Sequence, residues 1–488
     1  MLNLTGSRQS STLMNTENSL QLTARAGQFS WSERGGLAVI GLGLLCLLVA
    51  FFGAGSVAPG LMLALSMGGL CLGGAMVFRK MARNPAGIDN NGVWFSGTTA
   101  RGMAGWIMAV VFTGFYILLY WSSDALVHLV RMTDGLSYLM RGAPADQWFL
   151  YGFFYTMAVL IMGARMLVKY RNIPYQLIRT VSVMFFQLGF AFILPGLLRS
   201  LNQPEFYFSY FWPLKYDYLW PGNVNYLTDA SGLGVFMVFW GLVLSLVATP
   251  VLTYFYGKRW YCSWVCGCGG LAETAGDPFR HLSDKSVGAW KVERWMVHSV
   301  LVVIVATTVL LWTNAAWQGS VLGGMSQRFA QWYGFFIGLV FSGVVGVGFY
   351  PIMGSRVWCR FGCPMAAILG LLQKYFSRFR ITTNGGQCIS CGNCSTYCEM
   401  GIDVRWYAQR GQNIVRASCV GCGMCAAVCP RGVLRLENGP RAGRYNGPVL
   451  IHHDQVSIQL DEDWIADRPL MPSMQEDLPI LTDEDVPA

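Results

Sequence analysis

Eight apolar stretches, near 36–55, 59–78, 103–121, 148–167, 177–197, 233–255, 295–313 and 333–353, each supply the roughly 20 residues that a helix needs to cross a bilayer. Unpaired backbone groups are too costly in hydrocarbon for other structure, so runs of this length demand helices. Charged residues make up 12% of the 488, against about 25% in an ordinary soluble domain, and 53% are hydrophobic. The chain is expected to be a polytopic α-helical membrane protein of about eight spans.

Lys and Arg in the short loops set orientation. One set of loops carries 14 of them, among them Arg79, Arg101, Arg165, Lys169, Lys258 and Arg280; the other carries five, Arg131, Arg141, Arg199, Lys215 and Arg328. Both termini are therefore expected in the cytoplasm, with the chain in a bacterial inner membrane. Topology accounts for the net charge of +9, and no nucleic-acid partner is needed. The first 35 residues are polar, and no cleaved signal peptide is expected.

Six segments follow: a polar N-terminal stretch (1–35), a four-span unit (36–176), a second four-span unit (177–364), a linker (365–385), a cysteine-rich module (386–440) and an acidic tail (441–488). The linker, "MAAILGLLQKYFSRFR", reads as an amphipathic helix with Lys374, Arg378 and Arg380 near lipid head groups. The outer loop 203–226 is dense in aromatics and reads as an interfacial cap, with a quinone pocket or a partner-docking surface as the alternatives.

Thirteen of the 15 cysteines fall between 262 and 429; Cys46 and Cys71 stand alone in apolar runs. "CISCGNCSTYC" and "CVGCGMCAAVCP" both follow C-x2-C-x2-C-x3-C. In this pattern three cysteines of a run grip one cubane cluster and the fourth reaches across to the other. Cys388, Cys391, Cys394 and Cys429 are therefore expected to bind one 4Fe-4S cluster, and Cys419, Cys422, Cys425 and Cys398 a second, in a small α+β bacterial-type ferredoxin domain. Zinc knuckles pair across longer spacers and lack the terminal Cys-Pro. Glu399 stands where the first run would carry proline, a change expected to affect loop stiffness.

A second repeat follows the sixth and eighth spans: "GKRWYCSWVCG" (257–267) and "GSRVWCRFGCP" (354–364). Parallel spans put both copies on one side. C-x3-C on a helical turn would set Cys262 with Cys266, and Cys359 with Cys363, on one face, with Cys268 as a fifth thiol. A disulfide is disfavoured on a reducing side. Two readings stay open: a third iron–sulfur or metal centre, and a thiol pair that binds or reduces a metal ion. Lys258, Arg259, Arg356 and Arg360 would favour thiolates in either.

The five histidines are too scattered for a haem held by two of them within the bilayer, so no haem is expected. "FSGTTARG" (95–102) is similar to an FMN-attachment element but has no flavin domain around it, and no flavin is expected.

With two membrane-proximal Cys-x3-Cys motifs and a tandem ferredoxin run behind them, residues 177–436 resemble the membrane-bound polyferredoxins of the NosR and NapH type, a group that includes the copper-reducing assembly factor of cbb-type oxidases. The resemblance implies an electron-transport protein of the respiratory chain, working between quinol or quinone and a partner oxidoreductase through cytoplasmic clusters. It implies cluster ligation by the eight ferredoxin cysteines and a membrane-proximal motif of Cys262, Cys266, Cys359 and Cys363. Two features depart from it: Gly267 and Cys268 follow Cys266 where proline is usual, and the outer flavin domain of the NosR branch is missing. A copper-reducing maturation factor and a mainly structural subunit of a respiratory or photosynthetic complex are the alternatives.

Overall fold

A computed structural model describes residues 30–81 and 101–438. Residues 95–100 of the flavin-like element, the acidic tail, and His452 and His453 lie outside the described residues. Eight helices among those described are long and apolar enough to cross a membrane: α1 (Trp31–Val57), α2 (Pro59–Arg79), α3 (Met103–Trp121), α4 (Gln147–Lys169), α5 (Pro174–Ser200), α6 (Gly232–Tyr256), α8 (Val287–Ala316) and α9 (Met325–Val345). Two shorter helices, α7 (Gly267–Thr274) and α10 (Pro364–Tyr375), follow the two cysteine motifs.

Local chemistry explains the helix ends. Ser30 caps α1 by accepting from the Glu33 amide, while the Glu33 carboxylate accepts from the Ser30 amide at 2.7 Å, a reciprocal capping box. The α1–α2 hairpin is tight because a side chain on Gly43 would meet the Ser66 carbonyl at 3.0 Å and one on Gly73 the Gly36 carbonyl at 2.6 Å. Wider π-helical turns interrupt α5 at Phe186–Ile193 and α9 at Gly334–Val345.

The cysteine-rich module is closed by an antiparallel pair, β1 (Phe379–Thr383) and β2 (Leu434–Asn438), with Phe379 opposite Asn438 and Thr383 opposite Leu434. Its apolar core is continuous with that of the membrane unit: Phe211, Tyr261 and Trp358 share one buried cluster with Ile381, Ile402 and Val433.

The structure adds to two readings of the sequence. One face of the linker packs inward, where α10 is a wedge between membrane unit and module: Ala366, Ala367, Leu369 and Gln373 are buried, as is Arg380 beyond it, while Tyr375, Phe376 and Arg378 stay exposed. The Gln373 amide donates to the carbonyls of Arg416 and Cys419 at 3.0 and 2.8 Å, which ties it to the module. The outer loop 203–226 is more than a cap. Its middle sinks into the bundle, burying Phe206, Phe211 and Tyr218, and the Tyr261 hydroxyl donates to the Ser209 carbonyl at 2.8 Å. Three of its aromatic side chains are thus interior, and the Tyr218 hydroxyl donates to the Met237 carbonyl, while Tyr226 stays exposed.

Candidate redox site

Both membrane-proximal motifs are built alike. A glycine with positive φ ends each preceding helical segment, Gly257 at 66° and Gly354 at 92°. One turn follows, Arg259–Cys262 in the first copy and the π-helical Trp358–Gly362 in the second. Cys266 and Cys363 then adopt extended conformations as the N-caps of α7 and α10. The expected single helical turn is thus broken inside each C-x3-C, because Gly267 and Pro364 start new helices. The break turns the second thiol of each copy toward backbone amides, those of Gly269 and Cys268 at Cys266 and that of Ala366 at Cys363, although burial still holds Cys363 well above the ordinary thiol value.

The structure brings the five thiols together. Cys262, Cys266, Cys359 and Cys363 are buried in one core, with Cys268 packed against it. Cys262 is within electrostatic reach of Cys266 and Cys359, and Cys363 of Cys359, Cys262 and Cys266. Burial pushes the Cys262 thiol up to about 12 and raises Cys359, against the opposing pull of Lys258 and Arg356. Cys266 runs the other way: a hydrogen bond with the Cys268 thiol, helped by the amides of Gly269 and Cys268, holds it below the ordinary thiol value despite burial. Cationic neighbours alone therefore do not set these thiols, as the sequence had suggested; burial and the Cys266–Cys268 hydrogen bond dominate.

In the module, Cys388, Cys391, Cys394 and Cys429 line one small cavity. Cys425 sits within electrostatic reach of Cys422, Cys419 and Cys398, so the fourth cysteine of each run lies with the other run's three. Ser390, Gly392, Gly421 and Gly423 take positive φ, curling the backbone around each group of thiols. The Ile402 amide donates to the Cys398 sulfur at 3.4 Å, the kind of bond that sets cluster potential. Among the described residues no three His, Cys, Asp or Glu side chains converge tightly enough to grip one metal ion.

The second ferredoxin loop is seated on the membrane unit through its carbonyls. The Ser263 hydroxyl, between Cys262 and Cys266, donates to Val420, between Cys419 and Cys422, at 2.8 Å. Tyr175 donates to Gly421 and Gln176 to Cys422, each at 2.8 Å. The Cys388–Cys394 loop faces outward instead, with Ile389 exposed.

Sequence reasoning missed the charge network beneath this seam. Asp277 accepts from Arg165 and Lys169, both at 2.7 Å, and pairs with Arg280 at 3.1 Å. Arg280 continues to Glu399 at 3.3 Å, Glu399 to Arg356 at 2.9 Å, and Arg356 to Glu273 at 2.6 Å, where Arg179 also pairs. Five cations meet three carboxylates, an excess of positive charge that complements anionic thiolate-ligated clusters. Burial opposes ionisation of Asp277 and Glu399, but the surrounding cations outweigh it and hold both carboxyls below their usual range. Arg356 also reaches the Cys359 sulfur at 3.6 Å. The missing proline at position 399 was the available signal: a carboxylate there spans the seam.

On the opposite side, Trp220, Tyr216, Asn223, Asn314 and Gln331 line a cavity of about 810 Å³. Tyr216 contacts Trp220 and Tyr333 at ring distances of 5.2 and 5.3 Å, and Tyr333 shares a packed cluster with Ile337, which also touches the cysteine core. Trp212 points elsewhere, donating to the Thr308 hydroxyl at 3.3 Å.

The regions that carry these thiols are 4Fe-4S domains. A 4Fe-4S binding domain model matches residues 238–286 and 333–383, the two membrane-proximal copies, and a 4Fe-4S dicluster domain model matches 387–434. The chain is 30% identical over 173 residues to the putative electron transport protein YccM of Escherichia coli, covering 33% of this chain and 47% of that one. It is 30% identical over 187 residues to the methylamine utilization ferredoxin-type protein MauN of Methylobacillus flagellatus, covering 37% and 63%. An uncharacterized protein of Methanocaldococcus jannaschii is 23% identical over 171 residues, covering 33% and 61%. The chain thus spans about half to under two thirds of these relatives. No solved structure matches.

Proposed function

We propose that this chain is a multi-pass iron–sulfur electron-transfer protein of the NosR/NapH type, relaying electrons between membrane quinol or quinone and a partner oxidoreductase. Its ferredoxin module stands in the cytoplasm, on the inner membrane of a bacterium. Cys262, Cys266, Cys359 and Cys363 would hold a membrane-proximal centre. Cys419, Cys422, Cys425 and Cys398 would hold the next, and Cys388, Cys391, Cys394 and Cys429 an outermost one. Clusters supply one-electron storage; the protein's part is to fix their order and exclude water. The Ser263–Val420 hydrogen bond carries this reading, because it joins the loops between the ligands of the first two centres. The cavity near Trp220 supports a quinone site, being within the ~300–1,000 Å³ usual for organic ligands.

Iron and acid-labile sulfide per chain test the proposal. About twelve irons are expected after anaerobic purification, falling to about eight in Cys262→Ser. Eight in both would leave the membrane thiols free and favour copper binding and reduction. Trp220→Ala is expected to slow quinol-linked reduction about tenfold or more, and Trp212→Ala to leave the quinone site intact; equal rates in wild type and Trp220→Ala would remove the quinone from this cavity.

A further inference from the structure

The cavity near Trp220 is walled by residues 216–226, α8 and α9. Among the described residues that line it, three carry titratable side chains: Asp217, Tyr216 and Tyr226. The other polar side chains are the Trp220 indole, the Ser326 hydroxyl and amides. Of the amides, Asn314 is already committed, donating to Ser326 at 2.9 Å and accepting from the Leu322 amide at 3.1 Å. Asp217 and Trp220 share a turn, closed by the Trp220 amide donating to the Asp217 carbonyl at 3.0 Å, and both side chains reach the same cavity. Asp217 has no ion-pair partner among the described residues. Two buried donors are also unmet among them: the Trp220 ring N–H, and the hydroxyl of Tyr333, whose ring lies 5.3 Å from that of Tyr216. Leaving buried donors unpaired is a cost that a ligand oxygen would offset.

A quinol that gives up two electrons also loses a proton from each of its two hydroxyls, so its oxidation needs a base within hydrogen-bond reach. Amides do not take up protons near neutral pH, and a phenol must first lose its own. Burial, and then the adjacent Asp217 carboxylate, push the Tyr216 phenol above its ordinary value, so Tyr216 is no base. One group of this cavity has the right chemistry, the carboxylate of Asp217.

We propose that Asp217 is the proton acceptor for quinol in this cavity, an inference that rests on the quinone reading given above. The quinol O–H bond breaks and an O–H bond forms on the carboxylate. The two electrons pass one at a time to the oxidised centre at Cys262, Cys266, Cys359 and Cys363 and on to the module, and the second proton leaves to water through the cavity mouth. In the reverse direction the same carboxyl returns its proton to a quinone being reduced.

The test uses the intact holoprotein in detergent, with decylubiquinol as electron donor, and follows loss of cluster absorbance by anaerobic stopped flow. Quinone affinity is read separately by isothermal titration with decylubiquinone, and iron content and elution establish that each variant folds. Asp217→Asn keeps the shape and removes the base: reduction at saturating quinol is expected to slow about 100-fold, with affinity within about twofold of wild type. Asp217→Glu keeps the base and is expected to stay within about tenfold of the wild-type rate. An Asp217→Glu rate as low as that of Asp217→Asn would overturn the role, as would a loss in Asp217→Asn that follows weakened quinone binding alone. A wild-type rate in Asp217→Asn beside a slow Trp220→Ala would overturn the acceptor and leave the quinone in place. Wild-type rates in both would remove the quinone from the cavity and the acceptor with it, so the two failures are told apart.

Discussion

At the residue scale, burial raises the Cys262, Cys359 and Cys363 thiols, while a hydrogen bond with the Cys268 thiol, helped by two backbone amides, holds Cys266 below the ordinary value. Burial raises Cys262 to about 12, Cys394 to about 12 and Cys419 to about 11. A raised thiol pKa means that protons compete better with iron as pH falls, and ligation must release them. Iron and sulfide uptake by cluster-stripped protein is therefore expected to rise between about pH 7 and 9, followed by visible absorbance under anaerobic conditions. Uptake that is flat or falling over that range would contradict this account. The ligand types were legible from spacing alone, since C-x2-C-x2-C-x3-C has few other uses. The individual thiol environments were not, because they depend on which amides the chain turns toward each sulfur. Glu399 makes the same point: it reads locally as a missing proline, and only folding places Arg280 and Arg356 against it.

At the scale of elements, the departure after Cys266 acquires a cause. An added side chain at position 267 would collide with the Tyr210 hydroxyl and lie 2.7 Å from the Gln187 side-chain oxygen. The proline usual at this point in NosR- and NapH-type proteins would therefore not fit beside the 203–226 loop. Gly267→Ala is expected to cost about 1–3 kcal/mol through overpacking, measured by thermal unfolding in detergent. Tyr210→Phe in the same chain should restore most of the loss by removing the clashing hydroxyl. No restoration would mean that the loop does not touch the motif. The α10 wedge is a similar case: its sequence reads as one amphipathic helix, and only folding turns the Gln373 amide to the module's carbonyls.

At the scale of the whole molecule, the seam orders the thiol groups, with the Cys419 loop inward and the Cys388 loop outward. Cys422→Ser should therefore block reduction of the outermost centre from the membrane while the membrane-proximal centre still fills, followed by freeze-quench electron paramagnetic resonance with quinol as donor. Reduction of the outermost centre at the wild-type rate would mean that electrons enter from the solvent side. The N-terminal helices belong to this arrangement, since Arg165 and Lys169 of α4 meet Asp277 beneath the seam. Breaking a buried pair of this kind typically costs about 3–5 kcal/mol, so these helices cannot be removed without loss to the redox unit.

The chain's own order of residues determined which segments are long and apolar enough to enter a membrane and which cysteines have cluster spacing. Both properties are local, read from about 20 consecutive residues or from a fixed count between ligands. Tertiary structure alone decided that the aromatic loop 203–226 reaches the first cysteine motif, that the two C-x3-C copies close on one another, and that three carboxylates and five cations meet under the module. Each of these brings together residues tens to hundreds of positions apart. Their pairing follows from burial and charge in three dimensions, which no spacing along the chain encodes.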